Sequence, residues 1–413
     1  MRIVKSSEKI IYFLMLTFLI NCNLSTEAKS KSKTEELAAS IDEIVSGVNC
    51  SLSIQIVSAD KYDLIYDYEP QKQMIPASIT KLITAALAFH ELGVSYNFKT
   101  IVYTDDSDIK DGIINGNLYL KGYGDPDLNS GDISELAKLI SEKNITEITG
   151  NIIYDESFLD GDHYSLANNF KDDTKQNYWP YVSALNFNKN GGGYDPASTA
   201  ASYLSDEMIS KNIKVDGIVI SGVTPQGAKQ LAEVSHNFFE VIAHMNKESD
   251  NHSAITVFKV IGALKYLPPG TITKGEDAVV SFLTSMGNPR DNFEILEGSG
   301  LSRYNSVNSD IYIRLLKYMY DENKTFDYFY SSLAIAGVDG TLRNRMIGTE
   351  AEKNVHAKTG TLNSVSALSG YAVTRDNELL IFYITMNGFG SSPNGVKYKQ
   401  DQICELLCQF SRK

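Results

Sequence analysis

Apolar and polar residues alternate from Ser51 to Val57 (SLSIQIV), and after the turn Ser58-Ala59-Asp60 the strand-like pattern resumes from Tyr62 to Tyr68 (YDLIYDY). A period of two interrupted by a short turn predicts a β-hairpin. The pattern then changes: Lys81 to Leu92 is strongly apolar and helical, with Gly93 placed to end the helix. Residues 97–230 differ in character, with short β-like runs at Ile113 to Lys121, Glu147 to Tyr154 and Ile213 to Ile220 between Gly/Asp/Asn-rich turns. No helical run of comparable strength interrupts them. Helical spacing returns from Asn237. Strand-like runs come late, at Asn354 to Ala357, Ser366 to Val373 and Glu378 to Met386, before a final helix from about Val396. Strands at both ends with helices between predict an α/β (α+β) fold in which one antiparallel sheet is built from both termini. Residues 35–96 and 231–413 would form that domain, and 97–230 an inserted β-rich domain. No internal repeat or coiled coil is visible.

The first residues add an address. Arg2, Lys5 and Lys9 precede an apolar stretch from Ile10 to Ile20 whose one polar residue is Thr17. A basic region followed by about 7–15 apolar residues reads as a secretory signal and is shorter than the ~20 needed to span a bilayer. It runs into Leu19-Ile20-Asn21-Cys22, which resembles a bacterial lipobox with Cys22 as the lipidated residue, although Asn21 replaces the usual small residue. Cleavage after Ala28 is the alternative. The polar stretch to Thr34 reads as a linker over 22–34. The expectation is export to the bacterial periplasm, with a lipid anchor at the membrane.

The 413 residues allow two to three domains, and 43% hydrophobic composition supplies a substantial core. The net charge is −13, and near −15 without residues 1–21. No nucleic acid partner is expected, because phosphate-backbone binding rests on clustered cations. Four cysteines cannot form a disulfide scaffold. Cys404 and Cys408 fall on one helix face, as two buried thiols or, less favourably, as a disulfide across one turn. The six histidines show no HxH or HExxH, and neither metal nor cofactor is expected. Asp105-Asp106-Ser107-Asp108 has the wrong spacing for a calcium loop and reads as a solvated turn; Gly122-Tyr123-Gly124-Asp125-Pro126 and Gly191-Gly192-Gly193 read as a turn and a loop.

Three short segments carry chemistry. In Ser78-Ile79-Thr80-Lys81 a serine opens a helix and a lysine three residues on shares its face. A desolvated lysine beside other cations can be neutral and take the serine proton, so that Ser78 attacks a carbonyl. In Ser249-Asp250-Asn251 a hydroxyl and an amide two residues apart can face one cleft, one passing a proton to the leaving group and the other holding the substrate backbone. In Lys358-Thr359-Gly360-Thr361 a strand edge offers a cation and hydroxyls for a carboxylate, and Gly360 permits close backbone approach. The Thr361 backbone N–H can join that of Ser78 as an oxyanion hole. Each segment alone is also an ordinary helix start, cap or loop. Their order, S-x-x-K, S-D-N, K-T-G, is the set of penicillin-binding proteins and class A β-lactamases.

The 171 residues from Ser78 to Ser249 leave room for the inserted block, and 109 more reach Lys358. With IPASITKLITAALA, GYGDPDL, GNIIYDESFLDG, VSALNFNKN, MNKESDN, EGSGLSRYN, AGVDGTLRNR and HAKTGTLNSVSALSGY, the chain from about Asp42 resembles the penicillin-binding protein 4 family, D-alanyl-D-alanine carboxypeptidase/endopeptidases of peptidase family S13. The resemblance implies a β-lactamase/transpeptidase-like domain split by an insertion shorter than in larger relatives. It implies Ser78 as acylated nucleophile, Lys81 as general base, Ser249 and Asn251 in the second motif, and Lys358, Thr359 and Thr361 on the substrate carboxylate. Asp155 and Arg303, with Phe158 as a looser match, would read the diaminopimelate side chain of peptidoglycan stem peptides; an ion pair or turn is the structural alternative. Asn363 stands where relatives often carry Gln. β-Lactams would be inhibitors. The rivals are a β-lactamase, for which no ExxLN-type glutamate follows S-D-N, and a non-catalytic peptidoglycan-binding protein.

Overall fold

A computed structural model describes residues 32–167, 169–191, 195–390 and 393–413. The leader, Cys22, most of the polar linker, and Gly192 and Gly193 lie outside the described residues. The linker ends earlier than expected, because α1 (Lys33–Val45) begins inside it. Its start is a capping box: Ser32 Oγ accepts from Glu35 N, and the Glu35 carboxylate accepts from Ser32 N.

The N-terminal hairpin forms as β1 (Ser51–Ser58) and β2 (Leu64–Tyr68), followed by a 3-10 turn at Ala77–Ile79 and α2 (Thr80–Glu91). The middle block holds β3 (Asn97–Thr104), β4 (Leu118–Gly122), α3 (Ser130–Ser141), β5 (Ile152–Asp155), α4 (Pro196–Ser210), β6 (Val219–Ser221) and β7 (Lys229–Asn237). Helices α5 (Phe238–Lys247), α6 (Asn251–Tyr266), α7 (Ile272–Ser285), α8 (Ser309–Asp321) and α9 (Phe326–Ser332) follow. The chain closes with β8 (Val355–Leu362), β9 (Val365–Val373), β10 (Leu379–Asn387) and α10 (Pro393–Gln409).

One antiparallel sheet joins the two ends of the chain, in the order Ala334–Ile335, β8, β9, β10, β1, β2. Alternate residues of its central strands feed two cores. Val57, Ala367, Tyr371, Ile381 and Tyr383 face the helices α2 and α5–α9; Ile54, Ile56, Leu368, Phe382 and Ile384 face α1 and α10. Covering both faces explains why β10 reads as a nearly continuous apolar run, LLIFYITM, with Thr385 its one polar residue. Cys404 and Cys408 lie in the second core as free thiols, and Cys50 is also unpaired. Among the described residues no helix is long and apolar enough to cross a membrane.

The middle block has its own sheet, ordered β7, β3, β4, β5, β6. It is not simply β-rich. Strands β4, β5 and β6 run parallel, and parallel neighbours need crossovers, which α3 and α4 supply. Both helices carry start signals: the Asn129 side chain caps α3, and Asp195 caps α4 ahead of Pro196. The sheet also runs past residue 230, since β7 continues to Asn237 before α5 begins.

A structural repetition underlies the three short β-like runs. Each divides into a two-residue strand (Ile113–Ile114, Glu147–Ile148, Lys214–Val215), a glycine turn, and β4, β5 or β6. The two-residue strands pair in parallel as a small third sheet. A Cβ on Gly150 would stand 2.4 Å from Gly116 O, so the stacked turns tolerate only glycine there. The apparent absence of a repeat reflects its brevity.

Part of the middle block leaves its sheet. Phe158, Leu159, Trp179, Val182 and Ala184 pack into the helical core beside α2 and α6. Residues 156–190 therefore belong physically to both units, and through them the inserted block reaches the cleft described below. Because β1 closes the terminal sheet from within, Ile54→Ala, at a fully buried position, is expected to lower stability by about 2–5 kcal/mol in urea unfolding.

Candidate active site

The turn Ala77–Ile79 runs directly into α2, which places Ser78 at a helix start with Lys81 one turn on. Lys81 Nζ lies 3.1 Å from Ser78 Oγ, 2.7 Å from Asn251 Oδ1 and 2.6 Å from the Ser299 carbonyl. Ala77, just before the serine, has φ +49°, a conformation costing a non-glycine residue roughly 1 kcal/mol or more. Neighbouring backbone holds it there. A Cβ on Gly300 (φ +80°) would lie 2.0 Å from Ala77 O, and one on Gly360 would lie 2.7 Å from Pro76 O. Both glycines let the chain close on the Ser78 turn.

Lys81 is fully buried. Burial pushes its ammonium pKa down to about 8, against the charges of Glu297 and Asp250, which raise it. Glu297 is itself buried and organises the loop that follows it. Its carboxylate accepts from the backbone N–H of Ser299 (2.6 Å), Gly300 (2.8 Å) and Ser302 (3.2 Å), and from Asn305 Nδ2 (3.1 Å). That loop sets the Ser299 carbonyl against Lys81.

The S-D-N segment follows the end of α5 and joins it to α6. Its three side chains diverge. Asp250 caps α6, accepting from His252 N (3.1 Å), Ser253 N (3.2 Å) and Ser253 Oγ (2.6 Å). Burial disfavours its charge, yet the Ser253 hydroxyl and the nearby Lys189 and His252 hold its carboxyl well below the usual range. Asn251, the first residue of α6, meets Lys81. Ser249, at φ +59°, turns the other way, and its Oγ accepts from Lys358 Nζ at 2.8 Å. The αL turn at Ser249 is what separates the two contacts.

Lys358-Thr359-Gly360-Thr361 lies within β8 rather than after a strand. On one side this stretch pairs with β9; on the other, pairing with Ala334–Ile335 stops at Ala357. Among the described residues no strand pairs with that outer edge from Lys358 to Leu362. Lys358 is fully buried, and burial and the charge of Lys81 drive its pKa well below the lysine range. Thr359 Oγ1 meets Thr341 Oγ1 at 2.8 Å, while Thr361 is exposed. Ser78, Lys81, Ser249, Asn251, Lys358, Thr359, Gly360 and Thr361 thus converge around one cleft. Such a site can activate a hydroxyl and bind an anion. Among the described residues no group of three His, Cys, Asp or Glu side chains is placed to hold a metal ion.

Arg303 and Asn363 also meet, through the Asn363 backbone carbonyl, which accepts from Arg303 Nη1 at 2.9 Å. Asp155 is not brought to them. It is fully buried at the end of β5, 3.1 Å from Lys121 Nζ, and accepts from Ser157 N and Thr224 N at 2.9 and 2.8 Å. It is a structural ion pair, and Phe158 is core, edge-on to Tyr123. The carboxylate beside Arg303 is Asp173, which accepts from Arg303 N (2.7 Å) and Ser302 Oγ (2.8 Å). Phe170 stacks on Tyr304, with ring centroids 4.5 Å apart. Asp173, Glu297, Ser299, Thr341 and Lys189, which bonds Asp250 and Asp127, escaped sequence reasoning. Glu297 and Ser299 lay in EGSGLSRYN and Lys189 in VSALNFNKN; Asp173, in a polar stretch, had no such signal.

The profile of the D-Ala-D-Ala carboxypeptidase 3 (S13) family matches residues 35–192 and 193–410. A "D-alanyl-D-alanine carboxypeptidase DacB" from Haemophilus influenzae is 25% identical, covering 96% of each chain. A "D-alanyl-D-alanine carboxypeptidase" from Actinomadura sp. is 26% identical over 92% of this chain and 86% of the other. The crystal structure of penicillin binding protein 4 from Haemophilus influenzae superposes with a TM-score of 0.77 at 22% identity, covering 88% of this chain and 98% of that one. The fold is therefore that of a penicillin-binding protein, a transpeptidase-like domain with an insertion.

The electrostatics of Lys81 can be read directly. In the free protein its amine is expected to titrate near pH 8, observed by NMR of isotope-labelled lysine. Because the Glu297 charge favours the ammonium, Glu297→Gln should move that midpoint lower.

Proposed function

The chain belongs to the D-Ala-D-Ala carboxypeptidase 3 (S13) family, and we propose that it is a serine-type D-Ala-D-Ala carboxypeptidase, with DD-endopeptidase activity by the same chemistry, acting on peptidoglycan stem peptides. The observation that carries this reading is a buried lysine with a depressed pKa, 3.1 Å from a helix-start serine. A neutral amine there can take the serine proton as Ser78 Oγ bonds to the carbonyl of the penultimate D-Ala. The backbone N–H groups of Ser78 and Thr361 would stabilise the oxyanion. Collapse of the tetrahedral intermediate breaks the C–N bond, and the proton on Lys81 passes through Ser249 to the departing amine. Water then attacks the acyl-enzyme, returning Ser78 and releasing the shortened peptide.

Substrate selection follows from charge. The terminal carboxylate of the peptide would sit against Lys358, Thr359 and Thr361, which have no carboxylate ion partner among the described residues. Arg303, with Asp173 in the place sequence reasoning gave to Asp155, would meet the zwitterionic end of the diaminopimelate side chain; the Asn363 turn supports the guanidinium. β-Lactams, which combine a reactive amide with a carboxylate, would acylate the same serine. The reading extends to export: the basic and apolar leader over 1–21 supports delivery to a bacterial periplasm, with Cys22 as the lipidated anchor.

Ser78→Ala is expected to abolish both D-Ala release from a pentapeptide and covalent labelling by fluorescent penicillin, with Lys81→Met losing several orders of magnitude in acylation rate. Survival of labelling at another residue would overturn the assignment. Since the neutral amine is the reactive form, acylation should rise with pH and level off above about 8, measured by stopped-flow labelling from acid to alkaline pH.

A further inference from the structure

Ser78 is reached through a short segment, Met74-Ile75-Pro76-Ala77, that lies outside every named strand. Its first two residues are nevertheless hydrogen-bonded as a strand would be. Met74 forms an isolated antiparallel bridge with Val307: its N–H donates to the Val307 carbonyl at 2.8 Å, and the Val307 N–H donates back at 3.0 Å. The backbone groups of Ile75 meet a side chain instead. Asn387 Oδ1 accepts from Ile75 N at 2.8 Å, and Asn387 Nδ2 donates to Ile75 O at 3.2 Å. A carboxamide offers an acceptor and donors side by side, as a peptide group does. Asn387 thus serves Ile75 as a strand partner would.

The two anchors belong to different walls of the cleft. Val307 follows the loop that Glu297 organises. Asn387 ends β10, where its backbone is in register with Ser51 on one side and Val365 on the other. Val365 opens β9, directly after the hairpin turn from β8 that carries Thr361 and Asn363. Past Ile75 the chain has few hydrogen bonds of its own to rely on, since Pro76 has no N–H. Ala77 then holds its positive φ against the Gly300 and Gly360 backbone. Those are packing contacts, which limit how closely the turn approaches β8. The paired bonds of Asn387 keep it there.

We propose that Asn387 is a positioning residue for acylation, holding the Ser78 turn at its working distance from β8. It acts through Ile75 and the backbone that follows. The inference rests on the function proposed above, in which the oxyanion meets one N–H from the turn, Ser78, and one from the strand, Thr361. Released from Asn387, the segment lets Ala77 relax out of its costly conformation and carries Ser78 with it. A displacement of about 1 Å is enough to cost roughly a hundredfold in rate. The carboxylate site at Lys358 and Thr359 lies on β8 itself and does not depend on the turn.

The test follows fluorescent penicillin labelling of the full chain by stopped flow, where the concentration dependence separates the non-covalent Kd from the acylation rate constant. Asn387→Ala should lower the acylation constant by about 10–100-fold and leave Kd within about twofold. Asn387→Asp keeps the acceptor for Ile75 N–H and loses the donor, so its acylation constant should fall by less; it carries the test if the alanine variant does not fold. Ile54→Ala, which weakens the core on the far face of the sheet, should acylate as the parent does. A parental acylation constant in the folded Asn387 variant would overturn the inference. So would a loss confined to Kd, or an equal loss in Ile54→Ala. A parent protein that takes no label at all would instead overturn the proposed function, so the two failures are told apart.

Discussion

Two lysines, Lys81 and Lys358, are sealed in the cleft with no carboxylate in ion-pair contact among the described residues, and much of the architecture exists to keep them there. An uncompensated buried ammonium is costly, and in practice such a group gives up its proton. Here both pKa values are pushed down, that of Lys358 partly by the charge of Lys81. Neutral oxygens take the place of carboxylates: a serine hydroxyl, an asparagine amide and a carbonyl for Lys81, a serine hydroxyl and a carbonyl for Lys358. These contacts satisfy the N–H donors without fixing the charge.

Holding uncharged oxygens at such distances needs backbone that would not choose its conformation locally. Ala77 and Ser249 both adopt positive φ beside the two hydroxyls, and such residues persist only where surrounding structure over-determines them. For Ala77 that structure is the Gly300 and Gly360 backbone pressed against its turn. For Ser249 it is the Asp250 cap, tied by Lys189 to Asp127 in the inserted block. Asn186 Oδ1 meets His252 Nε2 at 3.0 Å, one residue past the motif. The insertion thus buttresses the site from a distance in sequence. An account of the catalytic domain alone would leave the S-D-N turn unsupported.

This division explains what was legible beforehand. Periodicity disclosed the terminal hairpin, α2 and the late strands, because their faces are buried in the regular way that patterns report. The ordered motifs located Ser78, Lys81, Ser249, Asn251 and Lys358, whose spacing along the chain is local. Periodicity did not set α3 and α4 apart from the β-like block, although Ile133, Leu136, Ala137 and Ile140 in α3 and Ala197, Ala200, Ala201, Leu204 and Met208 in α4 keep helical spacing; α4 buries mostly alanine, a weak apolar signal. Nor could it separate Asp155 from Asp173. Asp155 closes the strand IIYD and Asp173 lies in a polar stretch, and which one reaches Arg303 depends on how a long segment folds back across the helical core. Glu297 shows the same limit in reverse. It sat inside a recognised stretch, but its role comes from the loop that folds back on its carboxylate, through Ser299, Gly300, Ser302 and Asn305, and so sets the Ser299 carbonyl against Lys81.

The acidic surface looks at first like an obstacle to an anionic substrate. At physiological ionic strength, however, surface charges are screened beyond about 8 Å, while buried groups are screened far less. The charge felt at Ser78 is therefore that of the two lysines, together with Glu297 and Asp250. In the free protein burial disfavours the ammonium of both lysines, and the charge of Lys81 further opposes protonation of Lys358. A carboxylate placed against Lys358 would favour its ammonium, because an opposite charge stabilises the cation it touches. A charged Lys358 would in turn disfavour the ammonium of Lys81, beside Ser78. An arriving carboxylate would thereby help to create the base that its own cleavage requires.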